Sequence, residues 1–179
     1  MYYTSDEEMP GFIQMLKLRG CPFCKLFCLI LHGFLRGYSE TDVNTKIKRG
    51  QRMFCNDRKS SKGCGRTFTV YYVDVIKKFV IKAGSIWTLL RNIGKEMNKK
   101  KAFEALNLPF SIFNVYNLWN KFKKKQVELR TIILVKGNPP DTPGIDNPAI
   151  QTIKHLEDIF PGTGCAVSEF QKTFQKSFF

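Results

Sequence analysis

Cys21-Pro22-Phe23-Cys24 and Arg49-Gly50-Gln51-Arg52-Met53-Phe54-Cys55, whose Cys follows Cys24 after thirty residues and is joined through eight more to Cys64-Gly65-Arg66-Thr67-Phe68, are the segments that set the expected fold. A CxxC on a tight turn places two thiolates about 2.3 Å from one metal ion, and a second pair closes the tetrahedron of a structural zinc site. Pro22 restricts the backbone just after the first ligand, and Gly63 and Gly65 flank the last, where a knuckle needs positive φ. The insert Asn56-Asp57-Arg58-Lys59-Ser60-Ser61-Lys62 is polar and turn-rich, so it is expected to loop out without separating the two sulfurs. The reading is one structural Zn2+ held by Cys21, Cys24, Cys55 and Cys64, with metal binding supplying much of the folding free energy of this unit.

Two further Cys and a His need placing. Cys24, Cys28 and His32 are four apart and would line one face of a helix, which would make Cys28 or His32 a rival ligand. Leu26 to Leu35 reads equally as the returning strand of a first hairpin, and an apolar-flanked Cys or His usually fills a core. Cys165 is isolated and expected to be structural. A redox role for Cys21 and Cys24 would require a βαβ context that is not visible. The acidic N-terminus MYYTSDEEMP lacks the basic and apolar regions of a secretory signal, so the thiols are expected in a reducing compartment, where clusters of them serve metals more often than disulfides.

The 179 residues carry a net charge of +14, distributed unevenly. Residues 1–43 and 131–179 each come to −1, whereas 44–90 carry +9 and 91–130 carry +7. An excess confined to one central block is expected of a protein that meets a polyanion over one surface. Hydrophobic content of 43% with 16 Phe argues against general disorder. The longest dense apolar run, Leu26 to Leu35, falls far short of the roughly 20 residues that span a bilayer, so no membrane partner is expected.

Thr67 to Asp74, TFTVYYVD, should finish the Cys-bearing unit as a strand. A helical pattern follows. Ser85 can cap a helix with Ile86, Leu89, Leu90 and Ile93 at helical spacing, and Asn98 a shorter one with Phe103 and Leu106 inward. Pro109 breaks the pattern, and a third helix is expected from about Ser111 to Val127 with Ile112, Val115, Trp119 and Phe122 on one stripe. Its opposite face carries Asn114, Asn117, Asn120, Lys121 and Lys124, without an acid. Three helices with a short break before the last match a helix-turn-helix, whose final helix enters the major groove. There Asn can pair with adenine, and Lys can reach guanine or phosphate. Basic residues of the preceding unit, notably Arg49, Arg52 and Arg66 with Lys46, Lys48, Arg58, Lys59 and Lys62, are expected to add phosphate contacts. Residues 136–144 read as a linker. Asn147 or Pro148 then opens a helix through Phe160, and Ser168 caps another with Phe170, Phe174 and Phe178 on one stripe. That stripe is expected to pack on the body, with self-association into a homo-oligomer as the alternative.

The strings Cys21-Pro22-Phe23-Cys24, Leu31-His32-Gly33, Arg49 to Cys55 and Gly63 to Phe68 together resemble the zinc ribbon at the start of many bacterial insertion-sequence transposases, in which a helix-turn-helix commonly follows. Ser111, Val115 and Trp119 resemble that element's pattern, although Leu118 stands where Arg is usual. The chain also departs from the pattern in the long insert before Cys64. The resemblance implies double-stranded DNA as partner and a bacterial cytoplasmic protein, associated with the nucleoid when DNA-bound. The expected fold class is α+β: a tail (1–15), a small four-cysteine zinc ribbon of β-hairpins (16–74), a helix-turn-helix domain (75–135), and a linker with C-terminal amphipathic helices (136–179). No catalytic constellation is visible, and the 49 residues after Arg130 are too few for an acidic-triad nuclease domain. The leading expectation is a zinc-dependent DNA-binding recognition module or derived regulator. A subunit or truncated part of an active transposase, and a ribbon adaptor that binds protein or RNA, stay open.

Overall fold

The structure, a computed structural model, describes residues 1–3, 7–58 and 62–179. It is mixed α+β, with β1 (Tyr2–Tyr3), α1 (Met9–Arg19), β2 (Leu29–Tyr38), β3 (Lys46–Cys55) and β4 (Thr67–Tyr72) followed by α2 (Ala83–Gly94), α3 (Lys99–Glu104), α4 (Phe113–Ile133), α5 (Pro148–Ile159) and α6 (Ala166–Phe174). The sheet runs in the order β1-β4-β3-β2, with β2, β3 and β4 antiparallel and the short β1 added parallel to β4. Leu26 to Leu35 is therefore largely strand. Cys24, Cys28 and His32 do not share a helical face.

The expected N-terminal tail instead contains the start of a helix, α1, which runs on into the Cys-bearing unit. Met9, Ile13 and Leu16 recur at spacings of four and three, and Pro10 sits in the first turn, where a missing N–H costs nothing. These three residues are buried with Leu29, Met53 and Val70, so α1 covers one face of the sheet. Without that cover the apolar residues of a three-stranded meander would face water.

The helical part builds a second core. Ile86, Leu89, Leu90 and Ile93 of α2 are all buried, but the helix begins at Ala83 with Lys82 at its N-cap rather than at Ser85. Tertiary bonds decide that start: Lys82 N donates to Glu40 Oε2 at 2.7 Å and Ala83 N to Asp74 O at 2.8 Å. Asn98 caps α3 as expected, accepting from Lys100 N at 2.9 Å. Pro109 lies in the break before α4, which continues past Val127 to Ile133 because Leu129 and Ile133 extend the buried stripe of Val115, Trp119 and Phe122.

Residues 136–144 connect α4 to α5 as a loop, and these helices pack against each other within the same core as α2, α3 and α6. Gly137 belongs to that packing, since a Cβ there would meet Ile159 Cδ1 at 2.9 Å and its carbonyl contacts His155 Nε2 at 3.0 Å. Asn147 caps α5 by accepting from Ala149 N at 3.0 Å. On α6 the capping group is Cys165 Sγ, which accepts from Ser168 N at 3.4 Å; Ser168 lies inside the helix. Phe170 and Phe178 are fully buried, so the apolar stripe packs on the body of the same chain.

Gln171 joins the two cores. Its buried amide donates to Val73 O at 2.7 Å and Val75 O at 3.1 Å, while its Oε1 accepts from Phe178 N at 3.2 Å. No helix among the described residues is long and apolar enough to cross a membrane.

Candidate metal centre and basic groove

The first pair of thiols is held by a loop closed on itself: Cys21 N donates to Leu26 O at 2.9 Å and Lys25 N to Cys21 O at 2.8 Å. The second pair stands where β3 ends. Cys55 N donates to Arg66 O and Gly65 N to Cys55 O, at 2.9 and 3.0 Å, so residues 64–66 run back beside Cys55 and carry Cys64 inward. The glycines act differently here. Gly65 has the expected positive φ of 67°, whereas Gly63 has no such conformation and is needed for close approach: a Cβ there would meet Asn56 O at 2.2 Å and Cys55 Sγ at 2.9 Å.

The sulfurs of Cys21, Cys24, Cys55 and Cys64 all lie within 4.8 Å of one another. Cys21 to Cys64 is 3.7 Å and Cys24 to Cys55 is 3.6 Å. Both distances exceed the ~2.05 Å of a disulfide, and they approach the ~3.8 Å edge of a tetrahedron with metal–sulfur bonds of about 2.3 Å. The four cysteines can thus hold a metal ion such as zinc. Backbone N–H groups support the sulfurs, Phe23 N donating to Cys21 at 3.4 Å and Cys64 N to Cys55 at 3.3 Å. Burial opposes ionisation of Cys21, but the N–H groups of Cys24 and Phe23 and the thiols of Cys55 and Cys64 outweigh it and bring the thiol down to about 7. Burial pushes Cys55 up to about 12. Four thiolates therefore need a cation among them, and binding it would displace protons. Cys28 and His32 stand outside the quartet. His32 packs on Phe54 with ring centroids 5.5 Å apart.

The basic residues divide into three groups. Asn114, Asn117, Asn120, Lys121 and Lys124 are brought together in the lining of a groove of about 520 Å³, which Lys78, Phe79, Val80, Ile81 and Phe110 also line. An adjoining concavity shares Lys78, Phe79, Lys121 and Lys124, and adds Lys77 and Lys125. Among the described residues, neither lining contains an acidic side chain. Arg52 and Arg66 are exposed on the sheet unit, outside this groove, and Arg66 stacks over Phe23 at 5.2 Å. Lys59 lies outside the described residues.

Arg49 corrects the expectation made for it. It is 8% exposed, and its guanidinium donates to the carbonyls of Ile76 and Phe79. Buried charge must find partners, and these carbonyls, 27 and 30 residues away, supply them. Arg49 thus joins β3 to the start of the helical part and is unavailable to phosphate. Arg49→Ala is expected to cost roughly 2–3 kcal/mol in chemical denaturation and to leave the salt dependence of any nucleic-acid binding unchanged; a lowered salt slope in a folded variant would return Arg49 to the phosphate contacts.

Lys78 and Phe79 line the groove, and Lys77 and Lys125 the adjoining concavity; in the sequence only the basic block marks these lysines, and nothing marks Phe79. Comparison with models of protein families, with curated proteins and with solved structures finds no match for this chain.

Proposed function

We propose that this chain is a zinc-dependent DNA-binding protein, resembling the recognition part of an insertion-sequence transposase, in which the Cys quartet is a structural staple and the helical part holds the DNA. The observation that carries this reading is the gathering of Asn114, Asn117, Asn120, Lys121 and Lys124 with Lys77 and Lys78 on one acid-free surface. A surface of this kind attracts phosphate and releases counterions when it binds. The order of elements supports the same reading, since a four-cysteine sheet unit is followed by α2, α3 and α4 with a break at Pro109, as in a helix-turn-helix with α4 as recognition helix. Arg52 and Arg66 would add backbone contacts from the sheet side.

The test is duplex affinity against salt. Contact with about six phosphates gives a slope of log affinity on log salt near −5, from roughly −0.9 per phosphate. Asn117→Ala with Lys124→Ala is expected to shallow that slope by about 0.9 and to weaken binding to a selected target while the helical circular dichroism stays intact. Absence of duplex binding at low salt, with zinc bound and the chain folded, would overturn the reading.

A further inference from the structure

We propose that the groove beside α4 is a site for a single strand of DNA, an inference that rests on the DNA-binding reading and deepens it. The polar face of α4 forms one wall of a concavity. Beside the helix that would enter a major groove about 12 Å wide, the concave site of about 520 Å³ falls within the ~300–1,000 Å³ that encloses one small organic molecule, about the scale of a nucleotide. Unpaired bases can splay into such a space, stack on an aromatic face and present their edges to amides.

The groove carries each of those elements. Phe79 is the stacking surface, and its backbone is fixed at both ends, its N–H donating to Ile76 O at 3.1 Å and its carbonyl accepting from buried Arg49. The ring packs on Phe179 with centroids 5.4 Å apart. Lys121 Nζ sits over the ring at 4.2 Å, a flexible ammonium that a phosphate would draw off the face a base then takes. Asn114 and Asn117 offer donors and acceptors in the same lining. Lys78, Lys121 and Lys124 are shared with the adjoining concavity, so the charge continues past one nucleotide along a path that a strand can follow.

The test uses the full zinc-loaded chain and fluorescence anisotropy with oligo-dT of about twelve nucleotides, a mixed-sequence duplex of equal length, and oligo-rU. The expected result is oligo-dT binding about tenfold tighter than the duplex. Lys78→Ala with Lys121→Ala should then shallow the salt slope for oligo-dT by about 1.4, from roughly 0.7 per phosphate on a single strand. Phe79→Leu, which keeps an apolar side chain in the core, should weaken oligo-dT at least about fivefold and the duplex much less. Duplex binding without tighter oligo-dT binding overturns the single-strand site and leaves the DNA-binding reading standing. Binding of neither overturns both. Tighter binding of oligo-rU than of oligo-dT overturns the assignment to DNA.

Discussion

Replacing Cys55 by serine is expected to abolish metal binding and to unfold the sheet unit while the helical part keeps its structure. Cys55 is fully buried, pairs with Cys24 at 3.6 Å, and accepts the N–H of Cys64 at 3.3 Å. Serine oxygen is a poor substitute for thiolate sulfur on zinc, and three remaining thiolates leave the tetrahedron open. Structural zinc sites supply on the order of 10–16 kcal/mol of apparent binding free energy in small peptides. The apolar cluster of Met9, Ile13, Leu16, Leu29, Met53 and Val70 offsets part of that loss, so a destabilisation of several kcal/mol is expected rather than the whole amount. Metal content should fall from one equivalent to none, with the β signal lost and most helical circular dichroism retained. A folded Cys55→Ser protein that keeps one equivalent of zinc would disprove the four-cysteine site.

Phe122→Ala is expected to be the most damaging change in the helical part. Phe122 is fully buried, with Trp119 at 5.7 Å on one side and Phe178 stacked at 6.0 Å on the other. Phe178 in turn packs edge-on against Phe170 at 5.6 Å, so one ring connects α4 to α6 and the C-terminus. Removing it leaves a cavity that aligned rings cannot collapse into, at a cost of about 3–5 kcal/mol. The denaturation midpoint should drop with any zinc content unchanged, because the four cysteines lie with the other core. A loss under about 1 kcal/mol would mean that α4 and α6 do not share the packing described.

The fold is legible where its cause is local. Asn98 reads as a cap, and Asn147 as one of two candidate starts for α5, because an Asx side chain satisfies an N–H group two residues ahead, and both residues do so. The four-cysteine cluster is legible because Cys21 and Cys24 share one short turn and residues 64–66 run back beside Cys55 at the end of β3. The polar face of α4 from Asn114 to Lys124 follows from helical periodicity alone, and its residues do gather in one groove. Ser85 and Ser168 mislead as caps for the opposite reason: the helix starts are set by partners outside the helix or by a sulfur. Glu40 and Asp74 hold the entry to α2, and Cys165 holds that of α6.

Residue types and spacing are therefore enough to establish an α+β chain, a four-thiol site and a central basic block. The destination of each long-range side chain is decided only by the tertiary structure. Arg49 looks like its basic neighbours in the sequence, yet the carbonyls of Ile76 and Phe79 bury it, and no pattern within a turn or a strand encodes a partner 30 residues away. Likewise Lys78 and Phe79 share a groove with Asn117 and Lys121 only because α2, α3 and the break at Pro109 fold the chain back between them. Local bonding chemistry is written in adjacent residues, whereas burial and the walls of a groove depend on which distant segments the two cores bring together.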